Sequence, residues 1–138
     1  MLRKNHKTDD AGFVRWALLA LALGGFGIGT GEFIMMGLLP DVSRSLAITE
    51  PQAGNAIASY ALGVVVGAPF IAVLAARMAR KSLLLILMAL FSIGNVASAM
   101  ADSYHGLLVA RFLTGLPHGA YFGVASLVAA SLVPIERR

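Results

Sequence analysis

Cysteine is absent from this 138-residue chain, which excludes disulfides, thiol nucleophiles and cysteine-held metal sites. Charge is nearly as scarce. Asp, Glu, Lys and Arg make up 13% of the residues, against about 25% in an ordinary soluble domain. With half the usual polar coat missing, a globule of this length has no means of covering its surface for water. Also missing are a Walker-type phosphate loop, a nucleophile elbow, paired catalytic carboxylates and any metal-ligand cluster. The three histidines, His6, His105 and His118, are scattered along the chain. Nothing here points to an enzyme, a metal or a bound cofactor. The net charge of +4 does not point to nucleic acid, because the cations form short clusters between apolar runs and no continuous stripe.

What is present is hydrocarbon. Apolar residues make up 58% of the chain and the mean hydropathy is +0.80. Four apolar runs stand out, at 17–39, 52–76, 82–100 and 107–133. Each is close to the ~20 residues that span a ~30 Å hydrocarbon core at 1.5 Å per residue. They are long and do not alternate, so they predict helices and not barrel strands. The expected fold is therefore an all-α integral membrane protein of four transmembrane helices. A cytoplasmic tail over 1–12 precedes one packed membrane unit over 13–138, since no linker divides the chain. Pro40 is expected to close the first helix, Thr49-Glu50-Pro51 to open the second, and Asp102 or Ser103 to cap the fourth.

Lys and Arg set the orientation. Arg3, Lys4, Lys7 and Arg15 precede the first run, Arg77, Arg80 and Lys81 follow the second, and Arg137 and Arg138 end the chain. All of these fall on one side of four alternating spans, leaving Arg44 on the other, so both termini are expected in the cytoplasm. Trp16 and Tyr104 suit interfacial anchors. A signal peptide is the rival reading of the first run, disfavoured by its length, by Glu32 within it and by the three spans that follow.

Two charges sit inside the apolar runs. Glu32 lies seven residues before Leu39, about 10 Å from the outer end of its helix, where an acid should face protein or a water-filled cavity. It is a candidate for proton coupling or substrate binding; the plainer alternative is a structural acid in a buried ion pair. Arg111, roughly 6 Å below the same surface, is a candidate partner for it, the alternative being a side chain that snorkels to the interface. His118 follows two turns later on the same face, near mid-bilayer, with Thr114 and Gly115 between them. His118 and Thr114 are candidates for the substrate cavity, His118 equally for a histidine satisfied by a neighbouring helix. Glycines recur at four-residue spacing at Gly27 and Gly31, Gly63 and Gly67, and Gly115, Gly119 and Gly123. In lipid this spacing suits close helix packing.

Residues 29–41, GTGEFIMMGLLPD, resemble the first helix of the major facilitator superfamily. The likeness is to the bacterial arabinose-efflux and chloramphenicol-resistance type among the drug:proton antiporters. Residues 111–120, RFLTGLPHGA, resemble that group's fourth helix, with Arg111 and Gly115 matching its R-x-x-x-G element. Residues 74–81, LAARMARK, keep Leu74, Arg77, Arg80 and Lys81 of the loop after helix two, while Ala72, Ala76 and Ala79 replace two glycines and an aspartate. The similarity runs from Phe13 onward. It implies a cavity lined by helices one and four, export of a drug, sugar or nucleoside in exchange for protons, and a part for Arg111 in proton coupling. The proton gradient is then the energy source and the bacterial inner membrane the location.

Such transporters have twelve helices in two halves that rock around a midplane site. The expectation is therefore the N-terminal portion of a transporter, not transport-competent alone, whose partners are lipid, a small substrate, protons and the missing helices or another membrane chain. Two other readings stay open: a small dimeric four-helix exporter using Glu32, and a non-transporting membrane protein that binds a partner through its glycine faces.

Overall fold

The computed structural model of the chain describes residues 5–75 and 78–133. Four helices follow one another, α1 (Asn5–Ser45), α2 (Glu50–Ala75), α3 (Arg80–Ala99) and α4 (Tyr104–Leu132). Each is long and apolar enough to cross a membrane. There is no strand among the described residues. The bounds of α2, α3 and α4 lie within three residues of the apolar runs 52–76, 82–100 and 107–133.

α1 is longer than its apolar run at both ends. Its 41 residues span about 60 Å, twice the hydrocarbon thickness. Pro40 does not close it; the helix passes through the proline and ends at Ser45. The reason is local. Ser43 Oγ and Arg44 Nε both donate to the Pro40 carbonyl, at 3.0 and 3.1 Å, and Arg44 pairs with Asp41 at 2.6 Å. One more turn is thereby supported beyond the missing N–H. Pro69 and Pro117 are likewise inside continuous helices.

The turns use short-range chemistry. Ala47 adopts φ 51° at the α1–α2 corner, and the amide of Ile48 returns to the Ser43 carbonyl at 3.0 Å. Thr49 and Gln52 form a reciprocal capping box: the Thr49 amide donates to Gln52 Oε1 at 2.9 Å, and the Gln52 amide to Thr49 Oγ1 at 3.4 Å. Of the two cap candidates for α4, Ser103 is used, its Oγ accepting from the Gly106 amide at 3.2 Å.

α4 is the centre of the bundle, packed most extensively on α2 and then on α3, while α1 lies against α2 and α4 and barely meets α3. Glycines set the α2–α4 spacing. A Cβ at Gly63 would overlap the Phe112 carbonyl, at Gly67 the Leu116 carbonyl, at Gly115 the Tyr60 carbonyl and at Gly119 the Val64 carbonyl. Backbone therefore lies on backbone along two turns. Gly31 is packed against Phe91 of α3. Gly27 and Gly123 do not share this role, since a Cβ at either would meet nothing within 4 Å.

Two apolar clusters lie along the bundle. Met35, Ala56 and Leu107 form one. Ile28, Tyr60, Leu87, Phe91, Ala120 and Tyr121 belong to the other. Glu32, between Ile28 and Met35 on α1, falls at the join.

Candidate functional site

The site is built where three helices bring polar groups to that join. α4 contributes Arg111 and His118, α2 contributes Tyr60, and α1 contributes Glu32. Arg111 is only 3% exposed, so it is not turned out to the interface. Its guanidinium lies over the Tyr60 ring, Cζ 4.3 Å from the ring centroid. A planar cation over an aromatic face is attracted by the ring quadrupole, and more so away from water. That contact leaves the edge of the guanidinium open. Nε and Nη2 of Arg111 are buried and have no hydrogen-bond partner among the described residues. These two N–H groups lie on the same side of the fork, the geometry that grips a carboxylate or another two-oxygen group.

Glu32 does not occupy that edge. Among the described residues the ion pair is between Arg44 and Asp41, in the last turn of α1, and none joins Glu32 to Arg111. Glu32 is half-buried on the neighbouring helix α1. The expected ion pair between acid and guanidinium is not formed among the described residues; the cation stacks on the tyrosine instead.

His118 is half-buried and its Nδ1 is 2.7 Å from the Tyr60 hydroxyl. Its ring also tilts toward Phe122, centroid to centroid 5.3 Å. Thr114 lies elsewhere. It is fully buried, its Oγ1 donates to the Ala110 carbonyl at 2.6 Å, and it fills the space beside Gly94 of α3. Successive residues of one helical stripe still diverge in direction, so α4 turns Arg111 and His118 toward Tyr60, Gly115 toward α2 and Thr114 toward α3.

Tyr60 is the residue that sequence reading passed over. It lies in the uncharged second run, and only its hydroxyl, placed ten residues after Glu50 in an apolar helix, signals a polar function there. It is 1% exposed and touches both Arg111 and His118. The remaining polar contacts between α2 and α4 stand on the same side of the bundle, Asn55 donating to the Tyr104 hydroxyl at 2.8 Å and Ser59 to the Leu108 carbonyl at 2.8 Å. Tyr104 is thus engaged with α2. On the other side of the bundle, Trp16 is 74% exposed, Arg80 reaches the Leu127 carbonyl at 3.4 Å and Lys81 is exposed. Arg77 lies outside the described residues.

A family model of the Major Facilitator Superfamily matches residues 21–138. The chain belongs to the major facilitator superfamily. The match takes in Glu32, Tyr60, Arg111 and His118. Among superfamily relatives, the chain is 53% identical over 125 residues to the inner membrane transport protein YdhP of Escherichia coli K12, covering 91% of this chain and 32% of that protein. It is 46% identical over 116 residues to the putative transporter AraJ of the same organism, covering 84% of this chain and 29% of the other. A chloramphenicol resistance protein of Streptomyces lividans is 34% identical over 121 residues, covering 88% and 31%. The chain spans about a third of the length of these relatives. No solved structure matches.

Proposed function

We propose that this chain forms the first four helices of a superfamily transporter of the inner membrane, with both ends in the cytoplasm, that exports a small molecule in exchange for protons. The observation that carries the reading is the open Nε/Nη2 edge of the buried Arg111, in a bundle whose first helix carries the acid Glu32. A desolvated cation with two unpartnered donors is costly to keep. It is worth keeping where an acceptor comes and goes, and Glu32 is suited to that part because it can be ionised or neutral. An ionised Glu32 drawn to the guanidinium, and a protonated one released from it, supply the exchange of proton for cargo. His118 completes the polar wall beside them. The names of the relatives, which include a chloramphenicol resistance protein and a probable sugar efflux transporter, support a small, largely uncharged organic cargo such as a drug or sugar.

Alternating access requires a second half to rock against. The test follows from that. Everted membrane vesicles are loaded with an imposed proton gradient, and accumulation of chloramphenicol and arabinose is compared for this chain alone and for this chain joined to the remaining helices of the 53% identical relative. The expected result is accumulation only in the joined protein, reduced by about tenfold or more in Glu32→Gln and in Arg111→Lys, the loss expected when one member of a desolvated charge pair is altered. Accumulation by the chain alone, abolished by Glu32→Gln, would instead establish a small self-sufficient exporter.

A further inference from the structure

We propose that Tyr60 is a positioning residue of the site: its hydroxyl fixes which nitrogen of His118 carries the proton, and its ring seats the Arg111 guanidinium beside that histidine. The inference rests on reading this polar cluster as the transport site, although its own readout is the protonation of His118 and not transport.

A neutral tyrosine hydroxyl carries one hydrogen, and when buried that hydrogen needs an acceptor. Tyr60 is 1% exposed, and among the described residues its hydroxyl has one partner, Nδ1 of His118 at 2.7 Å. Arg111 has no acceptor to offer, because every guanidinium nitrogen is a donor. The hydroxyl therefore donates to Nδ1. A neutral imidazole with an acceptor at one nitrogen carries its hydrogen at the other, so His118 is held with the proton on Nε2.

A second consequence concerns charge. If His118 takes a proton at Nδ1, the Tyr60 oxygen must turn from donor to acceptor, and its own hydrogen loses its partner. The ring below already carries the Arg111 cation on its face, 4.3 Å away. Positive charge would then stand against both ends of one tyrosine. Among the described residues, the charged and titratable groups around this pair are Glu32 from α1, Tyr60 from α2, and Arg111 and His118 from α4, and of these Glu32 is the acid that can offset the added charge. Tyr60 thereby makes the states of the histidine, the guanidinium and the acid depend on one another.

The experiment is nitrogen NMR on the histidine-labelled chain in lipid bilayers, with the His118 signals identified by their loss in His118→Gln. The wild type is expected to show Nδ1 unprotonated and hydrogen-bonded, and Nε2 protonated. Tyr60→Phe keeps the ring under Arg111 and so should keep the fold, yet the unprotonated-nitrogen signal should move from Nδ1 alone to a division between the two ring positions. A protonated Nδ1 in the neutral wild-type histidine would overturn the proposal, with no variant needed. Unchanged His118 shifts in a folded Tyr60→Phe would overturn it equally. Loss of transport in Glu32→Gln alongside unchanged shifts in Tyr60→Phe would leave the transport reading standing and remove this one.

Discussion

Arg111 carries an unusual combination: it is buried, stacked on Tyr60, and still has two donors with nothing to bond. Each unsatisfied buried donor costs about 1–3 kcal/mol, while the cation–π contact returns roughly 1–2 kcal/mol. The balance is unfavourable, which fits the part proposed for Arg111 in transport better than a stabilising one. In the isolated chain, Arg111→Met should therefore raise the midpoint of thermal unfolding in detergent, by about 1 kcal/mol of stability or more, while the joined transporter loses accumulation. A lower Tm in Arg111→Met would mean that the guanidinium is a structural tie. At this scale the sequence was informative where a charge interrupts hydrocarbon, as at Glu32 and Arg111, because such a residue has no cheap place in lipid. It was silent about Tyr60, since a tyrosine in an apolar run has an ordinary use as packing. It misdirected at Thr114, because a shared helical stripe does not specify which neighbour each side chain meets.

Between elements, the α2–α4 contact is backbone on backbone, and a side chain at any of its four glycines must push the helices apart. Gly115→Val should destabilise the chain by about 1–3 kcal/mol, measured by thermal unfolding in detergent, and a comparable loss is expected from Gly63→Val. Gly27→Ala should be neutral or stabilising by up to about 1 kcal/mol, because its Cβ meets nothing and alanine favours helix. Equal losses at Gly27 and Gly115 would contradict this division. The α1–α2 corner offers another check. Ala47 at φ 51° occupies a conformation that glycine adopts freely and alanine does not, so Ala47→Gly should gain about 1 kcal/mol. The helices were legible because lipid demands an uninterrupted apolar length. The ends of α1 were less so, since the extra turn past Pro40 depends on three side-chain contacts to one carbonyl and one carboxylate.

At the scale of the molecule, α4 is fastened to α2 by glycines and by the Asn55, Ser59 and Tyr60 bonds, and to α3 through Gly94 and Thr114. α1 is attached more lightly, pinned toward its N-terminal side by the Tyr121 hydroxyl on the Leu21 carbonyl at 3.0 Å. The acid thus sits on the least constrained helix and the guanidinium on the most constrained one, as the proposed exchange at Arg111 would require. Outward, large apolar side chains such as Phe26, Phe33, Val65, Phe70, Leu85 and Ile93 are exposed, the surface that lipid and further helices would cover. Whether Glu32 looks into that apolar surround or into water decides the account. Because the chain has no cysteine, single introduced thiols report without background, and labelling intact cells with a membrane-impermeant maleimide and a small water-soluble methanethiosulfonate is the direct measurement. The account predicts that Ser45→Cys labels with the maleimide, that Lys81→Cys does not until the cells are opened, and that Glu32→Cys reacts with the methanethiosulfonate. Labelling of Lys81→Cys in intact cells, or a silent Glu32→Cys in a folded chain, would contradict it.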